Sequence, residues 1–331
     1  MSQYTGYAVG LDIGGTNLVA GVIAGEDGRV LSRQSIPTES RRGPVDGLDR
    51  IGSLIAQVIK AAPLRPEQIS GIGIGASGPV DTIKGLVQNP YTLPGWEDLP
   101  INDYLSGRFN LPCSLLIDTH VAALGEHWVG AARGTKHMLY LTFGTGIGCG
   151  IILNNQLFRG VGLTSGEVGH HVIDPSGPLC YCGAHGCWET LAAAPAISRY
   201  AAENAPDDSL LLQMVDSREQ ITPLLVSQAA QQGDPFAHEV MDRTARYLGE
   251  GIANLINIFA PQVVVLGGGI MGSWPLFEPT ATQIMQRCAA MIPLYSEIRV
   301  RQAELGLNAG ITGAARAILA IQTGETNLLP V

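Results

Sequence analysis

Two glycine-rich turns, each directly after an apolar run, present backbone N–H groups suited to binding phosphate. The first turn is Asp12-Ile13-Gly14-Gly15-Thr16-Asn17, and the second is Gly144-Thr145-Gly146-Ile147-Gly148. Because glycine has no Cβ, such a turn can approach a phosphate oxygen closely, and the threonine hydroxyl adds a donor. Neither turn has the spacing of a P-loop or of a Rossmann fingerprint. Either turn alone could be a plain β-hairpin, but the presence of two such turns favours the binding of a phosphate chain between them. Asp12, beside the first turn, could hold Mg²⁺ through water.

A tight group of three cysteines and a histidine has the donor set of a zinc site. Cys180, Cys182 and Cys187 lie within eight residues, and His170 precedes them. Three thiolates and one imidazole suit tetrahedral Zn²⁺, and four protein ligands leave no open position for catalysis. The spacing therefore predicts a structural zinc site, and the alternative is three reduced core cysteines. Two other nearby histidines are rival ligands: His171 and His185.

Two carboxylates flank this cluster. Glu167 lies three residues before His170, and Glu189 lies two residues after Cys187. A zinc ion held by both ligands would fix both carboxylates in space. Paired carboxylates suit the recognition of vicinal hydroxyls, because each one accepts several hydrogen bonds. The pattern indicates a sugar-like ligand, although two exposed glutamates on a loop would have the same spacing.

A further carboxylate and a further glycine run each follow an apolar strand. Asp118 comes after Ser114 to Ile117, and ligands of α/β folds bind at strand ends. There Asp118 could accept a proton from a substrate hydroxyl, or it could simply cap the next helix. Gly267-Gly268-Gly269 comes after Val263 to Leu266. It would let a flat group such as a nucleoside approach the backbone, or it would form a tight turn.

The elements that must position these residues alternate between strands and helices. Strands are predicted on both sides of each glycine turn, at Tyr7 to Leu11, Leu18 to Ile23, Met138 to Thr142 and Ile147 to Leu153. Apolar periodicity adds strands at Ile69 to Ile74, Ser114 to Ile117 and Val263 to Leu266, and helices at Val45 to Lys60, Val121 to Ala132, Phe236 to Phe259 and Ile311 to Ile321. The alternation predicts an α/β fold built on duplicated topology, with a polar helical insert at Ala201 to Gly233.

The composition limits the partners of the protein. Its 331 residues carry 20 Lys and Arg against 29 Asp and Glu, a formal net charge of −9. A protein that binds nucleic acid or an anionic membrane would usually have a basic face. No apolar run approaches the roughly 20 residues of a membrane span. We therefore expect a cytoplasmic protein with neither nucleic-acid nor membrane partners.

Taken together, these motifs resemble the ROK family of sugar kinases and repressors, within the actin/hexokinase-like ATPase superfamily. The resemblance covers nearly the whole chain. The matching stretches are GLDIGGTN from Gly10, GIGASGPVD from Gly73, LPGW from Leu93, IDTHVAALGE from Ile117, LTFGTGIGCGII from Leu141, GEVGHH from Gly166, CYCGAHGCWE from Cys180, VVVLGGGI from Val263 and NAGITGAA from Asn308. The pair GEVGH and CxCGxxGCxE is the most specific of these.

The resemblance implies a two-domain, ribonuclease H-like α/β fold with an interdomain cleft. Residues 1–120 would form the N-terminal domain, with a C-terminal helix at about 312–331 packing back onto it. Residues 121–311 would form the larger C-terminal domain and carry the zinc loop 166–189. The family also implies a homodimer.

The resemblance further implies a role for each matching residue. Asp118 occupies the position of the catalytic base. The substrate-binding positions are Gly78, Pro79, Asp118, Glu167, His170 and Glu189. The positions for ATP and Mg²⁺ are Asp12, Gly14, Gly15, Thr16, Asn17, Gly144, Thr145, Gly146, Gly267, Gly268 and Gly269. The structural zinc set is His170, Cys180, Cys182 and Cys187.

The implied function is an ATP-dependent hexose kinase that phosphorylates a 6-hydroxyl, with glucose as the first expected sugar. The alternatives are an N-acetylhexosamine kinase and a catalytically silent sugar-binding protein, and polyphosphate is an alternative donor. A family repressor would need an N-terminal helix-turn-helix, for which this sequence leaves no room. Family kinases usually carry Asn-Asp-Ala-Asn around the base, whereas this chain has Ile117-Asp118-Thr119-His120. Ile117 cannot donate a hydrogen bond to a sugar, so one expected substrate contact is missing.

Overall fold

The computed structural model describes residues 6–88, 92–289, 291–292, 295–325 and 328. Its strands are β1 (Tyr7–Ile13), β2 (Asn17–Ala24), β3 (Val30–Pro37), β4 (Ile69–Ala76), β5 (Val80–Asp81), β6 (Leu86–Val87), β7 (Cys113–Ile117), β8 (Met138–Phe143), β9 (Ile147–Leu153), β10 (Gln156–Phe158), β11 (Val263–Gly267) and β12 (Arg299–Gln302). Its helices are α1 (Pro44–Ala61), α2 (Ile101–Phe109), α3 (Asp118–Trp128), α4 (Trp188–Ala192), α5 (Ala194–Asn204), α6 (Leu210–Gln213), α7 (Pro223–Gln231), α8 (Pro235–Phe259), α9 (Trp274–Cys288) and α10 (Ala309–Gln322).

The predicted strands and helices are confirmed, with shifts at their ends. The largest shift concerns α3, which begins at Asp118 rather than at Val121 and ends at Trp128 rather than at Ala132. The predicted helical insert contains the end of α5 and all of α6 and α7. The elements that the sequence did not predict are mostly short or half-exposed: β3, β5, β6, β10, β12, α2, α4 and α9.

The two large sheets repeat one strand order. The first sheet has the order β3-β2-β1-β4-β7, and the second has the order β10-β9-β8-β11-β12. Numbered within each sheet by chain position, both orders read 3-2-1-4-5. In the first sheet β1 pairs antiparallel with β2 and parallel with β4. The duplicated topology predicted from the two glycine turns is therefore confirmed, and each turn joins two neighbouring strands of a sheet.

The chain divides into two units by its contacts. The first unit contains residues 1–140, 149–166 and 303–331, and the second contains residues 141–148 and 167–302. The predicted boundary between residues 120 and 121 falls inside α3, which packs on α10 in the first unit. The assignment of residues to two domains stays a prediction.

The side chains of β1 point alternately to the two layers that cover the first sheet. Successive side chains of a strand point to opposite faces. Val9, Leu11 and Ile13 belong to the core cluster that also contains buried side chains of α1 and α2. Ala8 lies in the other cluster, with Ile311 and its neighbours on α10. Asp12, which is in phase with Ala8, therefore faces the layer that contains α10.

Helix α10 lies against β1 and α3 so closely that glycine is required at the contacts. A Cβ on Gly10 of β1 would lie 1.9 Å from the carbonyl oxygen of Ile311. A Cβ on Gly313 of α10 would lie 1.6 Å from the carbonyl oxygen of Val121. Real Cβ atoms do not approach backbone oxygens so closely, so any larger residue must push the helix away. These contacts fix the start of α10 beside the end of β1.

Gly313→Ala should destabilise the protein strongly. The added methyl group would meet rigid backbone of α3, and overpacking of this kind costs about 3 kcal/mol or more of unfolding free energy. Gly107→Ala on α2 is the matched control, because nothing lies within 4 Å of a Cβ at that position. The control should be neutral or up to about 1 kcal/mol more stable, since alanine favours helix. Denaturant unfolding of both variants checks this, and equal stability would contradict the close approach.

Glu126, a fully buried carboxylate near the end of α3, ties that helix to the segment before α10. Its Oε1 accepts a hydrogen bond from the backbone N–H of Leu305 at 2.8 Å. Its Oε2 accepts hydrogen bonds from the N–H groups of Ala131 at 2.8 Å and Glu304 at 3.2 Å. A buried charge with this many donors is well compensated. This anchor and the glycine contacts together hold α3 and α10 in register.

In the described part of the chain, no helix has both the length and the apolar character that crossing a membrane would require.

Candidate active site

Asp118 stands where β7 passes directly into α3, and its carboxylate is held on both oxygens. Oδ1 accepts the backbone N–H of Thr119 at 2.7 Å, and Oδ2 accepts the hydroxyl of Ser77 at 3.2 Å. Ser77 itself donates its backbone N–H to the carbonyl of Ile13 at 3.2 Å. The ends of β1, β4 and β7 are thereby joined around one carboxylate, which is half-buried. Such a group is oriented and can accept a proton from a hydroxyl.

Asp12 is the second carboxylate of this region and lies beside the first turn of α10. A Cβ on Gly310 would lie 2.3 Å from its Oδ2, so only glycine leaves room for the carboxylate. Burial, with a further contribution from the charge of Asp118, raises the pKa of Asp12 to about 7. Two carboxylates that repel one another are a fitting environment for a divalent cation, because the cation would relieve the repulsion. The Mg²⁺ role predicted for Asp12 therefore fits its surroundings.

The first glycine turn is a tight, exposed connection between β1 and β2. Gly14 donates its N–H to the carbonyl of Asn17 at 3.0 Å. The buried Thr38 holds the turn from behind, since its hydroxyl donates to the carbonyl of Gly14 at 2.6 Å and its N–H donates to the carbonyl of Thr16 at 2.8 Å. Gly15, Thr16 and Asn17 are exposed. The turn is thus rigid on one side and open on the other, as a phosphate-binding loop must be.

The turn at the end of β4 carries the two other predicted substrate positions of the first unit. Gly78 is half-buried, Pro79 is exposed, and the peptide bond between them is cis. Both follow Ser77, which contacts Asp118. The structure thus brings four predicted site residues of the first unit to one region: Asp12, Gly78, Pro79 and Asp118.

The second glycine turn and the Gly267 to Gly269 run lie next to one another in the second unit. Gly144 donates its N–H to the carbonyl of Gly146 at 3.0 Å and accepts the N–H of Ala194 at 2.8 Å. A Cβ on Gly268 would lie 2.3 Å from the carbonyl oxygen of Phe143, the residue before this turn. Gly268 also has a φ of 91°, which favours glycine. The two segments of this unit that are predicted to bind nucleotide are therefore neighbours, and Thr145 within the glycine turn is exposed.

The four predicted zinc ligands form one cluster. One donor atom from each of His170, Cys180, Cys182 and Cys187 lies within 4.8 Å of all the others. The Sγ atoms of Cys182 and Cys187 are 3.5 Å apart, and Nδ1 of His170 is 3.6 Å from Sγ of Cys180. A tetrahedral site with Zn–S bonds near 2.3 Å has edges of about 3.8 Å, so these separations fit zinc. They are too long for a disulfide.

The two rival ligands point elsewhere. His171 directs Nδ1 to the carbonyl of Val168 and packs edge-to-face on Trp188, with ring centroids 5.4 Å apart. His185 directs Nδ1 to the carbonyl of Gly177 at 3.2 Å. Among the residues that the structure describes, the metal-ligating group contains His170 and neither of these. Trp188, which follows Cys187 and is fully buried, anchors the zinc loop in the second unit.

The three residues predicted to bind sugar hydroxyls are grouped around the zinc cluster. Oε1 of Glu189 lies 3.8 Å from Nδ1 of His170. Oε2 of Glu189 lies close to Gly146 and Gly169, since a Cβ on these residues would lie 3.0 and 3.2 Å from it. Burial and the charge of Glu189 raise the pKa of Glu167, while His170 opposes the shift. The structure thus groups Glu167, His170 and Glu189 in the second unit, although their contact with a sugar stays a prediction.

The two residues near Asp118 that depart from the family pattern, Ile117 and His120, have different structural roles. Ile117 is 4% exposed and belongs to the core cluster of the first sheet, so its side chain serves packing. His120 is fully buried in α3, and its Nε2 lies 2.9 Å from the carbonyl oxygen of Ser165. A carbonyl only accepts hydrogen bonds, so the proton of the neutral ring is on Nε2. Among the described residues Nδ1 has no hydrogen-bond partner.

The buried His120 should make the protein less stable in mild acid. Burial lowers the pKa of His120 to about 4, and the charge of Arg159 acts in the same direction. The hydrogen bond with Ser165 opposes this shift. The unfolded chain, with a pKa near 6.5, binds the proton first, so stability falls as the pH decreases from about 6.5 to about 4. Between pH 7 and pH 5 the loss due to this residue is about 2 kcal/mol. The variant His120→Asn keeps every other titrating group. Its free energy of unfolding, measured with urea, should therefore fall by about 2 kcal/mol less than that of the wild type between pH 7 and pH 5. If the unfolding free energies of the two proteins fell in parallel with pH, the prediction would be wrong.

Some residues that support the site could not be recognised from the sequence. Ser77 contacts Asp118 across 41 positions of the chain, and Thr38 contacts Gly14 across 24. Tyr181, between two zinc-ligand cysteines, contacts His170. The only signal for Ser77 was its place in the predicted turn after β4, and Thr38 gave none.

The geometry agrees with comparisons to known proteins. The profile of the ROK family matches residues 8–322. A glucokinase of Thermotoga maritima is 34% identical over 313 residues, which cover 94% of this chain and 96% of that protein. A xylose repressor of Bacillus subtilis is 30% identical over 96% of this chain and 78% of its own length. A crystal structure of a ROK family glucokinase from Streptomyces griseus, in complex with glucose and AMPPNP, has a TM-score of 0.80 and 34% identity, covering 94% of this chain and 99% of that one. These matches confirm the predicted α/β fold of the actin/hexokinase-like superfamily, and the chain belongs to the ROK family.

Proposed function

We propose that this protein is an ATP-dependent hexose kinase that transfers the γ-phosphoryl group to the 6-hydroxyl of glucose. The observation that carries the proposal is the Asp118 carboxylate, which Ser77 and Thr119 orient at the end of β7. The similarity to proteins named glucokinase, over more than nine-tenths of both chains, supports the substrate class. The glucose and AMPPNP in the related Streptomyces griseus structure support the two substrates.

Asp118 would act as the general base of the reaction. Its carboxylate takes the proton of the sugar's primary hydroxyl as that oxygen attacks the γ-phosphorus in line. The new O–P bond forms, the bond to the β,γ-bridging oxygen breaks, and ADP leaves with the electron pair. Phosphoryl transfer involves little covalent chemistry with the protein, so most of the acceleration comes from positioning and charge neutralisation. Mg²⁺, when bound, would supply part of that neutralisation at Asp12.

The two glycine turns and the Gly267 to Gly269 run would hold the nucleotide. Gly14, Gly15, Thr16 and Asn17 belong to an open turn that Thr38 supports from behind. The turn from Gly144 to Gly146 lies beside Gly268, so the second unit offers two adjacent backbone surfaces without side chains. We propose that these turns bind phosphate and that Gly267 to Gly269 lie against the adenosine.

Sugar recognition would combine hydrogen-bond acceptors with a hydrogen-bond donor. Glu167 and Glu189 accept hydrogen bonds from vicinal hydroxyls, and His170 offers the ring nitrogen that does not face the cysteines. Gly78 and Pro79 would approach the sugar with backbone only. The zinc ion would fix His170 and the chain on both sides of it, and with four protein ligands it takes no part in the reaction.

Measuring ADP release with Mg-ATP over a panel of sugars tests the proposal. The panel contains glucose, mannose, fructose, allose, glucosamine, N-acetylglucosamine, N-acetylmannosamine and xylose, with Asp118→Ala as control and polyphosphate as a second donor. We expect turnover on glucose that the control lacks. Turnover only on an N-acetylated sugar would support an N-acetylhexosamine kinase instead. No turnover on any sugar by folded, zinc-loaded protein would refute the kinase and favour a sugar-binding or regulatory protein, as the repressors among the relatives would suggest. Sedimentation of the same protein would test the proposed homodimer.

A further inference from the structure

Tyr181 stands between two of the zinc-ligand cysteines, yet its side chain lies over His170. Its hydroxyl oxygen is 2.9 Å from Nε2 of His170. The two rings meet edge-to-face, with centroids 5.0 Å apart and planes at 88°. The tyrosine is nevertheless 68% exposed, so most of the ring borders solvent rather than core. The contact with His170 is therefore made by a side chain that is largely open to solvent.

The nitrogen that Tyr181 contacts is the one that zinc would leave available. Nδ1 of His170 faces Sγ of Cys180 at 3.6 Å and belongs to the metal-ligating group. A histidine that binds metal through Nδ1 carries its remaining proton on Nε2. His170 would therefore donate this N–H to the phenol oxygen of Tyr181. A sugar hydroxyl that approached the same nitrogen would need the same N–H.

The carboxylates predicted to bind the sugar also lie around this phenol. Glu189 is a further hydrogen-bond partner of the Tyr181 hydroxyl, and the charge of Glu167 also acts on this hydroxyl. The hydroxyl is thus one O–H group that accepts from His170 and faces carboxylate acceptors. A sugar hydroxyl has the same capacity to donate and to accept.

We propose that the Tyr181 hydroxyl occupies a sugar-hydroxyl position of the ligand-free protein, and that a bound sugar must displace it from His170. This inference rests on the proposed function. Tyr181 would then determine sugar affinity and selectivity without touching the reacting atoms. A sugar with a hydroxyl at this position replaces the lost hydrogen bond, whereas a sugar without one leaves His170 unpaired. The exposed ring can rotate into solvent, because little of it is packed.

Tyr181→Phe isolates the hydroxyl, because it removes one oxygen and keeps the ring. Without the competing phenol, Kd and KM for glucose should fall roughly 3- to 10-fold, which is the size of one net hydrogen bond. KM for ATP and kcat should not change. Titration calorimetry with glucose in the absence of nucleotide gives Kd, and the ADP-release assay gives KM and kcat. Zinc content and Tm of the variant establish that the loop is intact.

Tyr200→Phe is the matched control. Tyr200 is half-buried in the same unit but lies outside the zinc loop, and its hydroxyl donates to Glu239 at 3.3 Å. This variant should bind glucose as the wild type does. A Kd that rises in Tyr181→Phe would mean that the hydroxyl binds the sugar, and an unchanged Kd would mean that the sugar does not compete for His170. Either result would overturn the inference, whereas the proposed function would still stand if the wild type phosphorylates glucose. If the wild type neither phosphorylates nor binds any sugar, the inference and the proposed function would both be overturned.

Discussion

Replacing Asp118 by asparagine should lower kcat for phosphoryl transfer to glucose by about 10²- to 10⁴-fold, the usual contribution of a general base. Asparagine has the same shape, and its Oδ1 can still accept the N–H of Thr119. Its amide cannot take a proton from the sugar hydroxyl. The effect should therefore fall on kcat, while KM for glucose and for ATP stays within about threefold.

Asp81→Asn provides the control for this experiment. Asp81 is also a half-buried aspartate of the first unit whose Oδ1 accepts backbone N–H groups, from Ile83 at 3.0 Å and Lys84 at 2.9 Å. It ends β5, where its carboxylate supports the turn that follows, and it has no proposed role in the reaction. Its kcat should equal that of the wild type. If Asp118→Asn kept more than a tenth of wild-type kcat, Asp118 would be a structural cap of α3 and another group would have to receive the proton.

The parts of this site that the sequence predicted are those that local spacing determines. The predicted zinc ligands lie mostly within one loop, so the types and the spacing of four residues were enough to predict a metal site. The glycine turns follow apolar runs, and the strands on both sides have to pair wherever the turn is tight. Long periodic segments such as α8 were predicted nearly to the residue, because an apolar stripe sustained over 25 residues is typical of a helix and of no strand.

The parts that the sequence did not predict depend on contacts between distant segments. Glu126 binds N–H groups of Glu304 and Leu305, some 180 positions away, and nothing in its local sequence indicates those partners. The contact of Tyr181 with His170, eleven positions earlier in the chain, likewise has no signal in the spacing of the cysteines. β3 was missed for another reason: along Val30–Pro37 the side chains are half-buried or exposed, so the strand lacks an apolar face.

Ile117 shows what the structure adds to a departure from a family pattern. An isoleucine in place of asparagine suggests only a lost hydrogen bond to the sugar. In the structure the side chain is part of the core beneath the first sheet, where an asparagine would need a partner. The substitution therefore exchanges a polar group for packing at the point where β7 meets α3. If the protein has the proposed function, its sugar selectivity would depend on other residues, such as those predicted to bind sugar in the zinc loop.

Removing the zinc should have the largest effect on the second unit. Purified protein should contain about one zinc ion per chain, since the four ligand atoms are already grouped within 4.8 Å of one another. Cys182→Ser is the preferred variant, because Cys182 is exposed and its change leaves no cavity. It should retain little zinc and unfold at a Tm lower by roughly 5–10 °C, which corresponds to a few kcal/mol in a protein of this size. Cys288→Ser, which alters an exposed cysteine outside the cluster, should keep both zinc and Tm.

The affinity for sugar should fall together with the zinc content, and the affinity for nucleotide should not. Glu167 and Glu189 flank the ligands in sequence, and Glu189 lies 3.8 Å from His170, so loss of the ion releases all three residues at once. Nothing in the zinc cluster belongs to the glycine segments proposed for ATP. Calorimetry of Cys182→Ser should therefore give a glucose Kd raised at least tenfold and a nearly unchanged Kd for AMPPNP, and the same split should follow when a chelator strips the wild type. A zinc-free protein that binds glucose normally would mean that the loop holds its carboxylates by backbone contacts alone, and that the metal contributes stability without organising the site.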